Sequence, residues 1–195
     1  PIALDEKNNV VRIPEISFNV EIEGVEVETS KLKNMLLFNK PSVAKTMEAP
    51  YLTGYYVDDD SVISFNLVTA CVNNTKIING KALLSSNLVE LFSIITIDKA
   101  IIKIDDKKIL VEAGDVIING TLMENIEQYP AQPLKDLVQA QFDSECVLNK
   151  SDLMNTLDRL NLFIGDDDKN ALRLTFADDC ITISSKKSNG NEMLK

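Results

Sequence analysis

The stretch from Asn149 to Asn189, NKSDLMNTLDRLNLFIGDDDKNALRLTFADDCITISSKKSN, decides how this chain is read. It opens at Ser151-Asp152-Leu153, after which Leu153, Leu157, Leu160 and Ile164 fall on one face of a helix. The pattern then changes. Leu172 to Phe176 and Cys180 to Ser184 read as strands, and Asp178-Asp179 between them reads as a tight turn. Aspartate suits such turns because its side chain bonds its own backbone and tolerates left-handed conformations. Ile181-Thr182-Ile183-Ser184 has the β-branched content of a half-buried strand.

The same order of parts occurs twice upstream. One copy opens at Ser30-Lys31-Leu32, with Met35 and Leu36 on the same helical face. Strand-like Tyr51 to Val57, the turn Asp58-Asp59-Asp60 and the strand Val62 to Leu67 follow. The other opens at Ser86-Asn87-Leu88 and sets Leu88, Leu91, Phe92 and Ile95 on one helical face. There Ala100 to Ile104 and Ile109 to Glu112 flank Asp105-Asp106. A serine at each start is expected to accept a hydrogen bond from an amide of the first turn. Helices and hairpins are common singly. What carries weight is the joint recurrence of serine, leucine phase, helix length and aspartate turn.

The copies at Ser30 and Ser151 match best and lie about 120 residues apart, the length of a small domain. Ile13-Pro14-Glu15-Ile16 and Tyr129-Pro130 mark boundaries between modules. The expected layout is α+β. Residues 18–135 form one complete module with two copies of the unit. Residues 136–195 form the first half of a following module. Residues 1–17 end a preceding one, with residues 1–12 as its last strand. The chain begins at Pro1 rather than Met, in keeping with a piece of a longer protein.

Composition narrows the function. Apolar residues make up 45% of the 195, enough to bury a core. The run Leu91 to Ile97 is far too short to span a bilayer, and no basic-then-apolar leader opens the chain. Cys71, Cys146 and Cys180 are odd in number, far apart and set in apolar stretches, so they are expected to be buried thiols of a reducing cytoplasm. There is no histidine, which removes Ser-His-Asp and Cys-His catalysis and most transition-metal sites. Asp166-Asp167-Asp168 lacks the glycine and terminal glutamate of a calcium loop and reads as solvated, as do the turns at Asp58 to Asp60 and Asp105-Asp106. Gly114-Asp115 and Gly120 read as hairpin glycines, and no phosphate-cradling loop is present. No cofactor, no metal and no catalytic residue is expected. The formal charge of −10 disfavours wrapping by nucleic acid, leaving a local basic strip or topological trapping as routes to DNA.

Asn149 to Asn189 resembles the opening of the third domain of bacterial-type sliding clamps, the beta subunit family of DNA polymerase III. Shared parts are a helix ending in an aliphatic cluster, the Asp168-Lys169-Asn170 loop, the Arg173-Leu174-x-Phe176 strand, an acidic turn and a strand running into Ser188-Asn189. The middle of the chain resembles that family's second domain. Tyr51-Leu52-Thr53-Gly54 is similar to its Tyr-Leu-Asn-Gly strand, and Tyr129-Pro130 to its Phe-Pro near the domain end. The resemblance implies antiparallel sheets outside and helices lining the inner face of a ring, with the two helices between residues 30 and 95 side by side on one sheet face. It implies a homodimeric ring around duplex DNA, without sequence readout, that tethers DNA polymerase and is opened by a clamp loader. No membrane partner is implied.

On this resemblance the DNA-facing residues are Lys31, Lys33, Lys40 and Lys45 around the first helix, with Lys150 and Arg159 on the last, where Arg159 lies roughly opposite the apolar face. Such contacts would position phosphates without specifying sequence. Lysines on a polar helix face are otherwise ordinary solvated residues. Leu52, Thr69 and Pro130 match positions of the family's partner-peptide pocket; without the resemblance they read as core and turn residues. The family's Thr-Asp-Gly-His-Arg-Leu reads Thr69-Ala70-Cys71-Val72-Asn73-Asn74 here, which removes the pocket's histidine and arginine. The rival readings are a β-rich phage structural or protein-interaction module, which needs no basic strip, and a carboxylate hydrolase, which needs two acids converging in a cleft.

Overall fold

A computed structural model describes residues 2–4, 10–12, 22–46, 48–143, 145–162, 171–177, 180–185 and 191–194, the first two ranges as backbone. The Ile13-Pro14 boundary, Ile164, the Asp166 to Asp168 loop and the Asp178-Asp179 turn lie outside the described residues. The chain divides into two compact units, residues 1–140 and 141–195.

The first unit begins with the paired strands β1 (Ile2–Leu4) and β2 (Val10–Arg12), antiparallel with Ile2 opposite Arg12. Ile2–Leu4 and Val10–Arg12 are thus two paired strands, where a single strand over residues 1–12 is expected. Two copies of one unit follow. The first is β3 (Val25–Glu28), α1 (Thr29–Asn39), β4 (Gly54–Val57), β5 (Val62–Phe65) and β6 (Ala70–Asn73). The second is β7 (Ala82–Ser85), α2 (Ser86–Leu91), β8 (Lys99–Ile104), β9 (Lys108–Ala113) and β10 (Val116–Thr121).

The two copies exchange their first strands. One antiparallel sheet runs β10-β9-β8-β3 and the other β6-β5-β4-β7. Val25 pairs with Ile102 and Glu28 with Lys99; in the same sense Gly54 pairs with Ser85 and Val57 with Ala82. Each helix therefore leaves a strand of one sheet and leads into the other sheet. Leu32, Met35 and Leu36 of α1, Leu88 and Val89 of α2 and Phe92 just after it meet Val27, Val57, Val62, Leu84, Ile102, Ile109 and Val111 in one core. Leu32 and Phe92 are both fully buried.

Burial explains the two kinds of strand. β9 alternates, with Ile109, Val111 and Ala113 inward and Lys108, Leu110 and Glu112 less buried, as in a sheet with one wet face. Val62-Ile63 and Ala82-Leu83-Leu84 are continuously apolar because their sheet is covered on both faces. The second cover is α3 (Ala131–Gln139) and the residues before it: Tyr129, Ala131 and Leu134 pack on Leu52, Ile63 and Leu83. Tyr129 stacks on Tyr56 with ring centroids 5.3 Å apart and donates its hydroxyl to the Ile63 carbonyl at 3.3 Å.

The aspartate turns form as the sequence implies. Asp58 Oδ1 accepts from the Ser61 amide at 2.9 Å, and Asp105 Oδ1 from the Lys107 and Lys108 amides at 2.8 and 2.6 Å. Gly114 does turn the β9–β10 hairpin, with φ of 58°, but Gly120 lies inside β10. The serine caps need correction. Ser30, Ser86 and Ser151 lie inside their helices; the side chains that accept first-turn amides are Ser85 before α2 and Asn149 before the last helix, and α1 has no side-chain cap.

The second unit holds α4 (Lys150–Asn161) and the antiparallel strands β11 (Leu172–Ala177), β12 (Cys180–Ser185) and β13 (Asn191–Leu194), in the order β11-β12-β13. Leu160, Ile181 and Ile183 form its core, with Leu153 and Leu157 against it. Contrary to the expectation of buried thiols, Cys71 and Cys180 are half-buried and Cys146 is exposed, in the stretch ahead of α4 where Leu148 rather than Cys146 packs on the core. Among the described residues no helix is long and apolar enough to cross a membrane.

Candidate nucleic-acid interface

α1 and α2 border one cavity together and pack on residues of both sheets, rather than on one sheet face. With their apolar sides spent on the core, their remaining sides form an exposed strip. A cavity of about 560 Å³ opens between them, lined by Lys33, Leu37, Lys40, Tyr55, Val89 and Glu90 among others. A second, of about 580 Å³, continues past Lys40 to Lys45, Thr53 and Asn87. Tyr55 closes the floor of both and is 3% exposed. Burial, and then the nearby Glu90 carboxylate, push its phenol above the usual range.

The four lysines expected around the first helix differ in their surroundings. Lys31 bonds Glu28 at 3.2 Å and Lys40 bonds Glu90 at 3.2 Å, the latter from the end of α1 across to α2. Lys33 and Lys45 make no ion pair among the described residues. Residues 86–94 contain no basic side chain, so the positive charge of the helix pair stands on the α1 side alone.

In the second unit Lys150 is exposed at the start of α4. Arg159 does not stand free. Its Nε donates to Glu192 Oε1 at 2.6 Å, and one terminal nitrogen donates to Glu192 Oε2 and to Thr156 Oγ1. Thr156 is buried, so Arg159 lies on the flank of the helix that meets β13. The guanidinium hydrogen bond holds the Glu192 carboxyl below its ordinary range, against a smaller opposing effect of desolvation.

Leu52, Thr69 and Pro130 all fall in the first unit. Leu52 is 2% exposed and belongs to the cluster that includes Tyr129 and Ala131, the neighbours of Pro130. Thr69 stands at the exposed β5–β6 loop, where its hydroxyl lies 3.1 Å from Ser42 Oγ and its amide donates to Asn66 Oδ1 at 2.8 Å. Leu67 in that loop has φ of 71°, and Leu67 and Val68 are exposed.

Two features escaped the sequence. Glu90 is the one charged residue of 86–94, opposite the Leu88 and Phe92 face, a signal that helical phase contained. Lys135 of α3 reaches Asp58 at 2.6 Å and Asp60 at 2.7 Å, and nothing local to either segment announces it. The Asp58 turn is therefore clamped rather than solvated.

No family model and no curated protein matches the sequence. Solved structures match its fold. A DNA polymerase III beta subunit from Thermotoga maritima aligns over 100% of this chain and 59% of its own, with TM-score 0.79 at 15% identity. The chain has the fold of a DNA sliding clamp. The DNA polymerase III beta chain of Streptococcus pneumoniae aligns over 98% of this chain and 53% of its own, with TM-score 0.76 at 17% identity. A DNA polymerase sliding clamp from Bacillus subtilis aligns over 99% and 58%, with TM-score 0.75 at 17% identity. The chain spans less than two thirds of these clamps' length.

Proposed function

We propose that this chain is part of a DNA sliding clamp, a polymerase processivity factor that encircles duplex DNA and tethers replication proteins without bond chemistry. The observation that supports this most is the pair of helices α1 and α2, set on the strand-exchanged sheets of a clamp fold, with Lys33, Lys40 and Lys45 along the cavities beside them. On this reading Lys31, Lys33, Lys40, Lys45, Lys150 and Arg159 face DNA. A net charge of −10 then fits a protein held by topology rather than by affinity. Residues 18–135 act as the complete middle domain and 136–195 as the first half of the last. Leu52, Thr69 and Pro130 contribute to the pocket for a partner's apolar peptide. The working form is a homodimeric ring in the cytoplasm, loaded by a clamp loader and bound by DNA polymerase.

The test uses the full-length protein loaded by its loader onto nicked circular DNA, which is then linearised. Retention on the circle with loss on linearisation is expected. Equal retention on both forms would mean ordinary surface binding and overturn the reading.

A further inference from the structure

The two helices hold equivalent places in the strand-exchanged halves but differ in charge. Lys31 and Lys33 lie on α1, and Lys40 and Lys45 follow it. α2 and the turn after it, residues 86–94, carry Glu90 as their one charged residue. Glu90 lines both cavities between the helices and holds Lys40 at 3.2 Å, with the two side chains 61% and 64% exposed. A pair this exposed adds little to stability. Its consequence is electrostatic: Lys40, which borders both the cavity lined by Lys33 and the one lined by Lys45, has an anion beside it that those two lysines lack.

We propose that Glu90 is a charge brake on the DNA-facing strip, occupying Lys40 so that the α1 side grips phosphate through Lys33 and Lys45 while Lys40 stays engaged within the protein. This rests on the DNA reading above. A ring that must move along its track gains from few and exchangeable phosphate contacts, since each contact releases counterions and adds to the hold. Placing the brake on α2 lets the fold set the strip's strength without altering any cation.

The experiment measures binding of the full chain to a labelled duplex from about 50 to 200 mM salt, where each phosphate contact contributes a slope of roughly −0.9 in log affinity against log salt. Lys33→Gln should make the slope shallower by about 0.9, and Glu90→Gln should make it steeper by about 0.9. In a Lys40→Gln background, Glu90→Gln should leave the slope unchanged, because no lysine remains to be released. A Glu90→Gln effect of equal size in both backgrounds would mean a general field effect and overturn the proposal. So would an unchanged slope in Glu90→Gln with the expected loss in Lys33→Gln, and that result would leave the DNA reading standing. Absence of binding by the wild-type chain at the lowest salt would overturn the proposal, while the linearisation assay judges the clamp reading separately. Unchanged thermal midpoints of the variants show that the slopes report binding rather than folding.

Discussion

Thr29 and Ser86 make the same link in the two halves of the first unit. Each is the first residue of its helix, and each donates its hydroxyl to a carbonyl just ahead of the strand that pairs with the strand leading into that helix: Thr29 to Ile97, ahead of β8, and Ser86 to Thr53, ahead of β4. The Thr29 amide adds a bond to the Asp98 carbonyl at 2.9 Å. These hydroxyls fasten the point where a strand of one sheet becomes a helix over both. Thr29→Val and Ser86→Ala should each cost about 1–2 kcal/mol, since a carbonyl at least partly shielded from water loses its donor. Urea unfolding should show lower midpoints at unchanged slope. Midpoints equal to wild type would mean that packing alone holds the junctions.

Asp58 gives a prediction in pH. Burial pushes its carboxyl upward, but hydrogen bonds from Lys135, Ser61 and Asp60 outweigh this and lower it from 3.8 to about 2. A depressed folded-state value stabilises the protein above the unfolded value and is lost as pH falls through the folded one. The contribution is therefore present above about pH 4 and lost between about pH 4 and 2, with a size of about 2 kcal/mol at most, given one pH unit per 1.4 kcal/mol. Lys135→Met should flatten the stability profile over that window. A profile as steep as wild type in urea melts from about pH 2 to 5 would place the acid-labile group elsewhere.

Gly54 sits where β4 pairs with β7. A Cβ there would stand 2.7 Å from the Leu84 carbonyl oxygen and 2.6 Å from Met123 Sδ. Methionine can swing aside, but a strand carbonyl cannot without breaking the pairing. Gly54→Ala should cost about 1–3 kcal/mol. Gly120→Ala, which meets only the side chain of Leu88, should cost less. Comparing thermal midpoints of the two checks this; equal losses would show that β7 can shift to admit the methyl.

Much of the fold is legible in the sequence where the cause is local. Helical phase places Leu32, Met35, Leu88 and Phe92 in the core, and Asp58 and Asp105 turn their hairpins because an Asx side chain bonds the amides that follow it. α3 is not legible in the sequence because Tyr129-Pro130 reads as a module boundary; Pro133 is accommodated because a proline in the first helical turn removes no needed donor. The caps were misplaced by one or two residues for a similar reason: a run such as Ser85-Ser86-Asn87 offers several equally good oxygens, and strand pairing chooses among them.

By itself, then, the sequence determined the units: three helices each followed by a hairpin, their buried faces and their turns, all set by contacts a few residues long. Tertiary structure alone decided that β3 and β7 change places between the sheets, that Lys135 clasps the Asp58 turn and that Glu90 holds Lys40. Those pairings join residues far apart in the chain. Their partners are selected by which surfaces the folded core brings within reach, and no local pattern carries that information.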